Sequence, residues 1–217
     1  MFVLQLPMGT SEVKSSTVST APVVGDAVGV SSRQWRVARV GHNTEKSSRD
    51  VLLKKGFEAF AATQMEVHNW KGRHRKVEVV RISTYLFVYI NRRERNELIT
   101  YPFIKSFMID RTSTTTNEGL HSDVVIPDHE IQRLKYMLYQ TDTPVEFMPD
   151  TFSKGDYVRV IRGSLQGVVG QLTRVDHTGI KRFGVNITAF GCATVQISPT
   201  DLELISESEY QAALKQA

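Results

Sequence analysis

Two short strings in this 217-residue chain hold the letters of acid–base chemistry, His121-Ser122-Asp123 and Asp128-His129-Glu130. Neighbours in sequence rarely converge as nucleophile, base and orienting acid, because a triad is assembled from separate elements. Asp128-His129 reads instead as a helix start. The six histidines are scattered without ligand spacing, and the single cysteine, Cys192, excludes an internal disulfide and a cysteine-based zinc site. No phosphate-binding loop, HExxH or dinucleotide fingerprint occurs. With no nucleophile set beside a base, the expectation is a protein that is not an enzyme and uses no metal or cofactor.

The remaining chemistry is binding chemistry. Lys71, Arg73, His74, Arg75 and Lys76 follow Trp70 around Gly72, which reads as the tip of a hairpin. Cations there suit phosphates, and an indole can stack on a base; a plain solvated hairpin is the equal alternative. Arg39, His42, Lys46 and Arg49 would extend the patch. The charge distribution agrees. Residues 34–142 hold 18 basic and 13 acidic side chains, net +5, whereas residues 143–217 hold 7 and 8, net −1, within a total of +4. A polyanion or an acidic protein partner therefore belongs with the middle of the chain. The composition, 41% hydrophobic and 23% charged, is globular. No apolar run reaches the roughly 20 residues of a membrane span, and the start MFVLQLPMGT lacks a basic n-region, so a reducing, cytoplasmic setting is expected.

The elements that must position these residues follow from pattern. Residues 1–33, rich in Ser, Thr, Val and Gly, read as a flexible tail. Trp35 to Val40 alternates like a half-buried strand. Asn43 or Thr44 can cap a helix reaching Lys55, with Glu45 in its first turn and Gly56 as its left-handed stop. Phe57 to Val67 is a strand region of irregular pattern, and the hairpin comes next. Tyr85 to Ile90 is a run of six β-formers, as in a central strand covered on both faces. A short helix from Arg92 to Thr100, a strand from Phe103 to Ile109 and a polar loop over 112–119 precede a helix opened by Pro127 and Asp128. Ile131, Leu134, Met137 and Leu138 recur there at helical spacing. The expected order is β-α-β-β-β-α-β-α, an α+β domain over residues 34–142. Residues 143–152 read as a linker, 153–205 as a small all-β barrel of short strands, and 206–217 as a tail able to form a short helix.

The sharpest signal is Gly155-Asp156-Tyr157-Val158-Arg159-Val160-Ile161-Arg162-Gly163-Ser164-Leu165-Gln166-Gly167-Val168-Val169-Gly170. Val158 and Val160 alternate into a core, Gly163 and Gly167 let the connection bend, and Leu165 plugs the space between them. The whole string resembles a KOW motif, the signature of SH3-like barrels. The first domain resembles the NusG N-terminal (NGN) domain in element order and in three strings. Arg81 to Val88 resembles R-x-L-F-P-x-Y-[VL]-[FL]-V, Tyr101 to Phe107 resembles T-P-G-V-x-x-F-V, and Val125 to Ile131 resembles the start of the last helix of that domain. Ala189-Phe190-Gly191 is similar to the I-F-G of the NusG C-terminal domain. The resemblance covers about residues 34–205. It departs where Ile82-Ser83-Thr84 replaces the family's Phe-Pro-Gly and where Phe103 replaces a glycine. These departures look like the specialised paralogues, RfaH or, nearer still, the UpxY-type antiterminators of Bacteroides polysaccharide operons.

The resemblance implies an antiparallel NGN sheet flanked by helices, joined through a linker to a KOW barrel, in a monomeric factor for transcription elongation and antitermination. By position, an apolar notch of Ile82, Tyr85 and Phe87, with Ile104 nearby and Trp35 supporting the sheet, would grip the clamp helices of the largest catalytic subunit of RNA polymerase. On a central strand one residue of each alternating pair must face inward, so ordinary core packing is an equal reading for Tyr85 and Phe87. The basic tip would meet the displaced non-template DNA strand. Phe190 would anchor a second partner, Rho or ribosomal protein S10 in NusG, with core packing as its equal alternative. The other readings are a general NusG factor and, from a different class, a ribosome-associated KOW protein that binds RNA. The latter needs basic residues in the barrel, which is net −1.

Overall fold

The computed structural model describes residues 32–70, 72–112, 121–148, 154–174 and 181–216. The expected flexible tail falls outside them but for its last two residues, as do Lys71, most of the polar loop and residues 149–153 of the linker region. The order of elements is β1 (Gln34–Arg39), α1 (Glu45–Lys54), β2 (Glu58–Phe60), β3 (Thr63–Trp70), β4 (Arg73–Val80), β5 (Tyr85–Ile90), α2 (Arg92–Leu98), β6 (Ser106–Phe107), β7 (Val125–Ile126) and α3 (Asp128–Gln140). Next come β8 (Glu146–Met148), β9 (Lys154–Val160), β10 (Val169–Arg174), β11 (Lys181–Ile187), β12 (Gly191–Val195), β13 (Leu202–Leu204) and α4 (Glu207–Gln216). Among the described residues the protein is a mixed helix and sheet structure whose strand pairs are all antiparallel.

The first sheet runs β2-β5-β1-β6, with β7 also on β1. β5 is central, as its unbroken apolar run requires. Its alternate residues feed two cores. Leu86, Val88 and Ile90 pack with Leu52 of α1 and Leu98 of α2 on one face. Phe87 packs on the other face with Trp35, Val37 and the Ile131, Leu134, Met137 and Leu138 stripe of α3. Helix α1 ends at Gly56, whose φ of 86° is the left-handed turn that glycine takes without strain. Helix α2 begins with a capping box, the Asn91 side chain accepting the Glu94 N–H and the Glu94 carboxylate accepting the Asn91 N–H. The strand expected over Phe103–Ile109 is only two residues long, because the chain turns at Tyr101–Ile104 and pairs with β1 just at Ala38 and Arg39.

The second sheet has the order β13-β9-β10-β11-β12-β8. One of its strands changes the expected layout. Residues 146–148, read as linker, form β8 on the edge of β12, because Val145 is buried and ties down the chain just before it. The expected tail holds α4, which buries Tyr210 in a stack on Tyr157 with ring centroids 4.5 Å apart. Within the glycine-rich string Val158, Val160 and Leu165 are buried and Asp156 is exposed. Gly163 and Gly167 have φ of 87° and 89°, and the Gly167 N–H closes the turn on the Val160 carbonyl at 2.8 Å. Gly155 is needed for space: a Cβ there would lie 1.9 Å from the Leu172 carbonyl oxygen.

Candidate functional site

The expected notch is not open. Phe87 is fully buried, Ile82 is buried and Tyr85 is half-buried. Against Tyr85 and Phe87 lies Phe190, carried on the β11–β12 turn of the second sheet. Its ring centroid lies 5.3 Å from that of Tyr85, edge-on, and 5.3 Å from that of Phe87. The turn that presents it is shaped by two left-handed residues, Ala189 and Gly191, with φ of 68° and 79°. Its neck is closed by the Phe190 N–H on the Ile187 carbonyl. Both sheets lie in one compact unit spanning Ser31–Ala217, and one apolar cluster runs through them from Trp35 and Phe87 to Phe183 and Val185.

Polar contacts around this seam come mainly from α3. The Glu130 carboxylate accepts the Thr188 backbone N–H at 2.7 Å and the Thr188 hydroxyl at 3.1 Å. Arg133 donates to the Val169 carbonyl at 3.4 Å and to its own helix at His129. Phe190 thus packs on Tyr85 and Phe87 with a small polar latch beside it, while Phe87 also meets the Phe60 ring at 5.7 Å and the α3 stripe. Sequence reasoning missed Glu130 and Arg133 as seam residues, since nothing local marks a partner 58 residues downstream.

The five residues expected at the notch separate. Trp35 supports the sheet: its indole N–H donates to Asp128 Oδ1 at 2.8 Å, and the Lys135 ammonium sits 4.5 Å from its ring centroid. Ile82, Tyr85 and Phe87 share its side of the sheet. Ile104 lies in the opposite core with Ala38, Leu86 and Phe107, so it does not line the same surface, because the turn at Tyr101 carries it beneath α1 and α2.

The basic tip is a separate two-stranded sheet, β3 against β4, paired from Thr63–Val80 out to Trp70–Arg73. Gly72 has φ of 77° at the turn. Trp70 is 72% exposed, and Arg73, His74, Arg75 and Lys76 are exposed with it. Lys46 and Arg49, expected to widen this patch, face inward to the hairpin base instead. Lys46 donates to the Glu78 carbonyl and Arg49 to the Glu78 carboxylate at 2.7 Å. Burial pushes the Glu78 carboxyl up, but hydrogen bonds from Arg49 and Thr63 outweigh it and hold the group below the usual carboxylate range. Arg39 and His42 are exposed on the sheet and the following turn.

Of the strings with catalytic letters, Asp123 is gripped by Arg36 and Arg95 at 3.0 Å each, and Asp128 and Glu130 hold Trp35 and Thr188 as described. Among the described residues no three His, Cys, Asp or Glu side chains gather as a metal site, and no helix is long and apolar enough to cross a membrane.

No family model matches the chain, and no curated protein matches it. Among solved structures it is similar to one described as "Domain interaction in Thermotoga maritima NusG", at 15% identity over 80% of this chain and 98% of that chain, with a TM-score of 0.37.

Proposed function

We propose that the chain is a NusG-type transcription elongation factor, specialised as a UpxY-like antiterminator of polysaccharide operons and acting in the cytoplasm by binding rather than by catalysis. In this reading Tyr85 and Phe87 dock on the paired clamp helices of RNA polymerase, the β3–β4 hairpin meets the displaced non-template strand, and the second sheet recruits a further factor through Phe190. The observation that supports it most is the contact made on Tyr85 and Phe87. Tyr85 and Phe87 on a central strand meet Phe190, which stands on a turn of a separate sheet beside a latch of two hydrogen bonds, and a helical partner can displace that contact.

The mechanism is selection between states. Polymerase binds the open arrangement only, so its apparent affinity falls by the fraction of molecules that are open. A second factor that takes hold of Phe190 raises that fraction. Once bound, the protein favours one polymerase conformation, so pausing falls and termination is resisted.

The test is calorimetric binding of the isolated clamp helices to the full chain, to Phe190→Ala and to the Tyr85→Ala, Phe87→Ala pair. Phe190→Ala is expected to bind more tightly than the wild type and the double variant most weakly. Equal binding by a folded double variant would show that the site is elsewhere. Absence of binding by Phe190→Ala would refute the polymerase reading.

A further inference from the structure

We propose that nucleic acid binds one face only of the β3–β4 hairpin, and that this face, His68, Trp70, Arg73 and Arg75, is built for a single strand. The proposal rests on the reading that the hairpin meets nucleic acid, and it names the face and the form of the ligand.

The register separates the two faces. Trp70 pairs with Arg73, His68 with Arg75 and Glu66 with Val77. Residues directly opposite share a face, and successive residues alternate. One face therefore carries His68, Trp70, Arg73 and Arg75 at its outer end and Glu66 and Val77 further in. The other carries Met65, Val67, Asn69, His74, Lys76 and Glu78. The two faces differ in chemistry. On the first, a widely exposed indole lies beside two guanidinium groups, and among the described residues no ion pair involves Arg73 or Arg75. Guanidinium takes phosphate through paired N–H groups and also stacks on flat rings. On the second face Met65 and Val67 are exposed apolar side chains, and Glu78 is held by Arg49 and Thr63. The one ammonium there, Lys76, stands beside an apolar strip and a carboxylate.

The first face also has an inner end. Glu66 pairs with Arg81 and lies 3.0 Å from His68 Nε2, so a carboxylate stops the phosphate track four residues along the strand from Trp70. His68 and Trp70 are separated by roughly 7 Å of extended strand, so two adjacent bases can each meet an aromatic ring. Stacking on Trp70 needs a base with a free face, which a single strand offers along its length and a duplex interior does not. The imidazole of His68 is therefore assigned to the ligand as well as to Glu66, a role that composition alone did not mark.

The experiment uses the full chain and a fluorescent oligothymidylate of a dozen nucleotides, followed by anisotropy over a range of salt. Trp70→Ala is expected to weaken binding roughly tenfold. Arg73→Gln and Arg75→Gln should each lower the slope of log affinity against log salt by about 0.7, one contacted phosphate each. His74→Gln and Lys76→Gln should leave the slope unchanged and the affinity within about twofold, since screened charges off the path act weakly. A blunt duplex of the same length should bind less tightly. The emission of the buried Trp35 reports that each variant is folded. Slope losses as large for Lys76→Gln as for Arg75→Gln would overturn the face assignment alone. Tighter binding of the duplex would overturn the single-strand assignment. A wild-type chain that binds neither probe would overturn the hairpin reading as a whole.

Discussion

The Glu130 carboxylate receives two hydrogen bonds from Thr188, one from the backbone N–H at 2.7 Å and one from the hydroxyl at 3.1 Å. Glu130 belongs to the first turn of α3 and Thr188 to the turn that carries Phe190. The pair therefore fixes the plug against the helix that completes the Trp35–Phe87 core. Because Thr188 is exposed, water competes for these bonds, and the contribution is about 1 kcal/mol rather than that of a buried charged pair. Glu130→Ala should let the turn open about fivefold more often. Amide hydrogen exchange at Thr188 and Phe190 would show it, with rates at Phe183 and Val185 unchanged. Equal protection in the variant would mean that the aromatic contact alone holds the seam.

Gln64 is the polar counterpart of that seam at the hairpin base. Buried at 1% exposure, its amide N–H groups donate to the Thr141 and Thr143 carbonyls at 2.8 and 2.9 Å. Its oxygen accepts from Val145 N–H at 3.0 Å and Arg81 Nε at 2.9 Å. One side chain thus satisfies the backbone where α3 ends and the chain turns toward β8. Gln64→Leu keeps the volume and leaves these groups unpaired, each costing roughly 1–3 kcal/mol where water cannot reach. A total loss of about 3 kcal/mol is expected in urea unfolding, with the slope unchanged. A loss under 1 kcal/mol would mean that water replaces the amide.

These two residues show where sequence reading reaches its limit. The α3 stripe was legible because Ile131, Leu134, Met137 and Leu138 repeat at the helical period, and β5 because six β-formers stand together. The bends at Gly163 and Gly167 were legible because glycine is the residue for left-handed backbone. β8 was not, since Phe147 and its neighbours form a strand only when β12 supplies the other half of the ladder. Ile104 was assigned to the notch by position in a string, and the turn at Tyr101 sends it to the other core. The packing on Tyr85 and Phe87 was illegible because it depends on a contact across about a hundred residues, and Phe190 alone fits a core, a plug or a partner anchor equally.

Thr84 holds a β-branched side chain in the left-handed region, with φ of 68°. Such a residue is strained there by roughly 1–2 kcal/mol. Two bonds hold it: its N–H donates to the buried Glu45 carboxylate at 2.6 Å, and its carbonyl accepts from Val40 at 2.8 Å. Both are backbone bonds that glycine keeps. Thr84→Gly should therefore stabilise the protein, by about 0.5–1 kcal/mol after the greater entropy of an unfolded glycine is allowed for. Thr84→Val should not, because it keeps the branch. The midpoint of thermal unfolding, compared across the two variants, checks the sign; a lower midpoint for Thr84→Gly would show that the threonine side chain contributes more than the strain costs.

Glu78 ties the hairpin to α1, and its titration gives the pH dependence of that join. Burial raises its carboxyl, but the bonds from Arg49 and Thr63 and the nearby charges of Arg49 and Lys46 leave it lowered in the folded protein. A carboxylate held below its unfolded value of about 4.3 contributes stability that is complete above that value. The contribution is lost as pH falls through the lower, folded value. Glu78→Gln removes the charge while keeping one acceptor. The stability difference between wild type and variant should therefore be constant from neutral pH down to about 5 and shrink below 4. Because the side chain is 30% exposed, the plateau is small, and the measurement is the change of the difference with pH in parallel urea titrations. A difference that grows on acidification would reverse the sign and show that burial, not the Arg49 bond, governs this carboxyl.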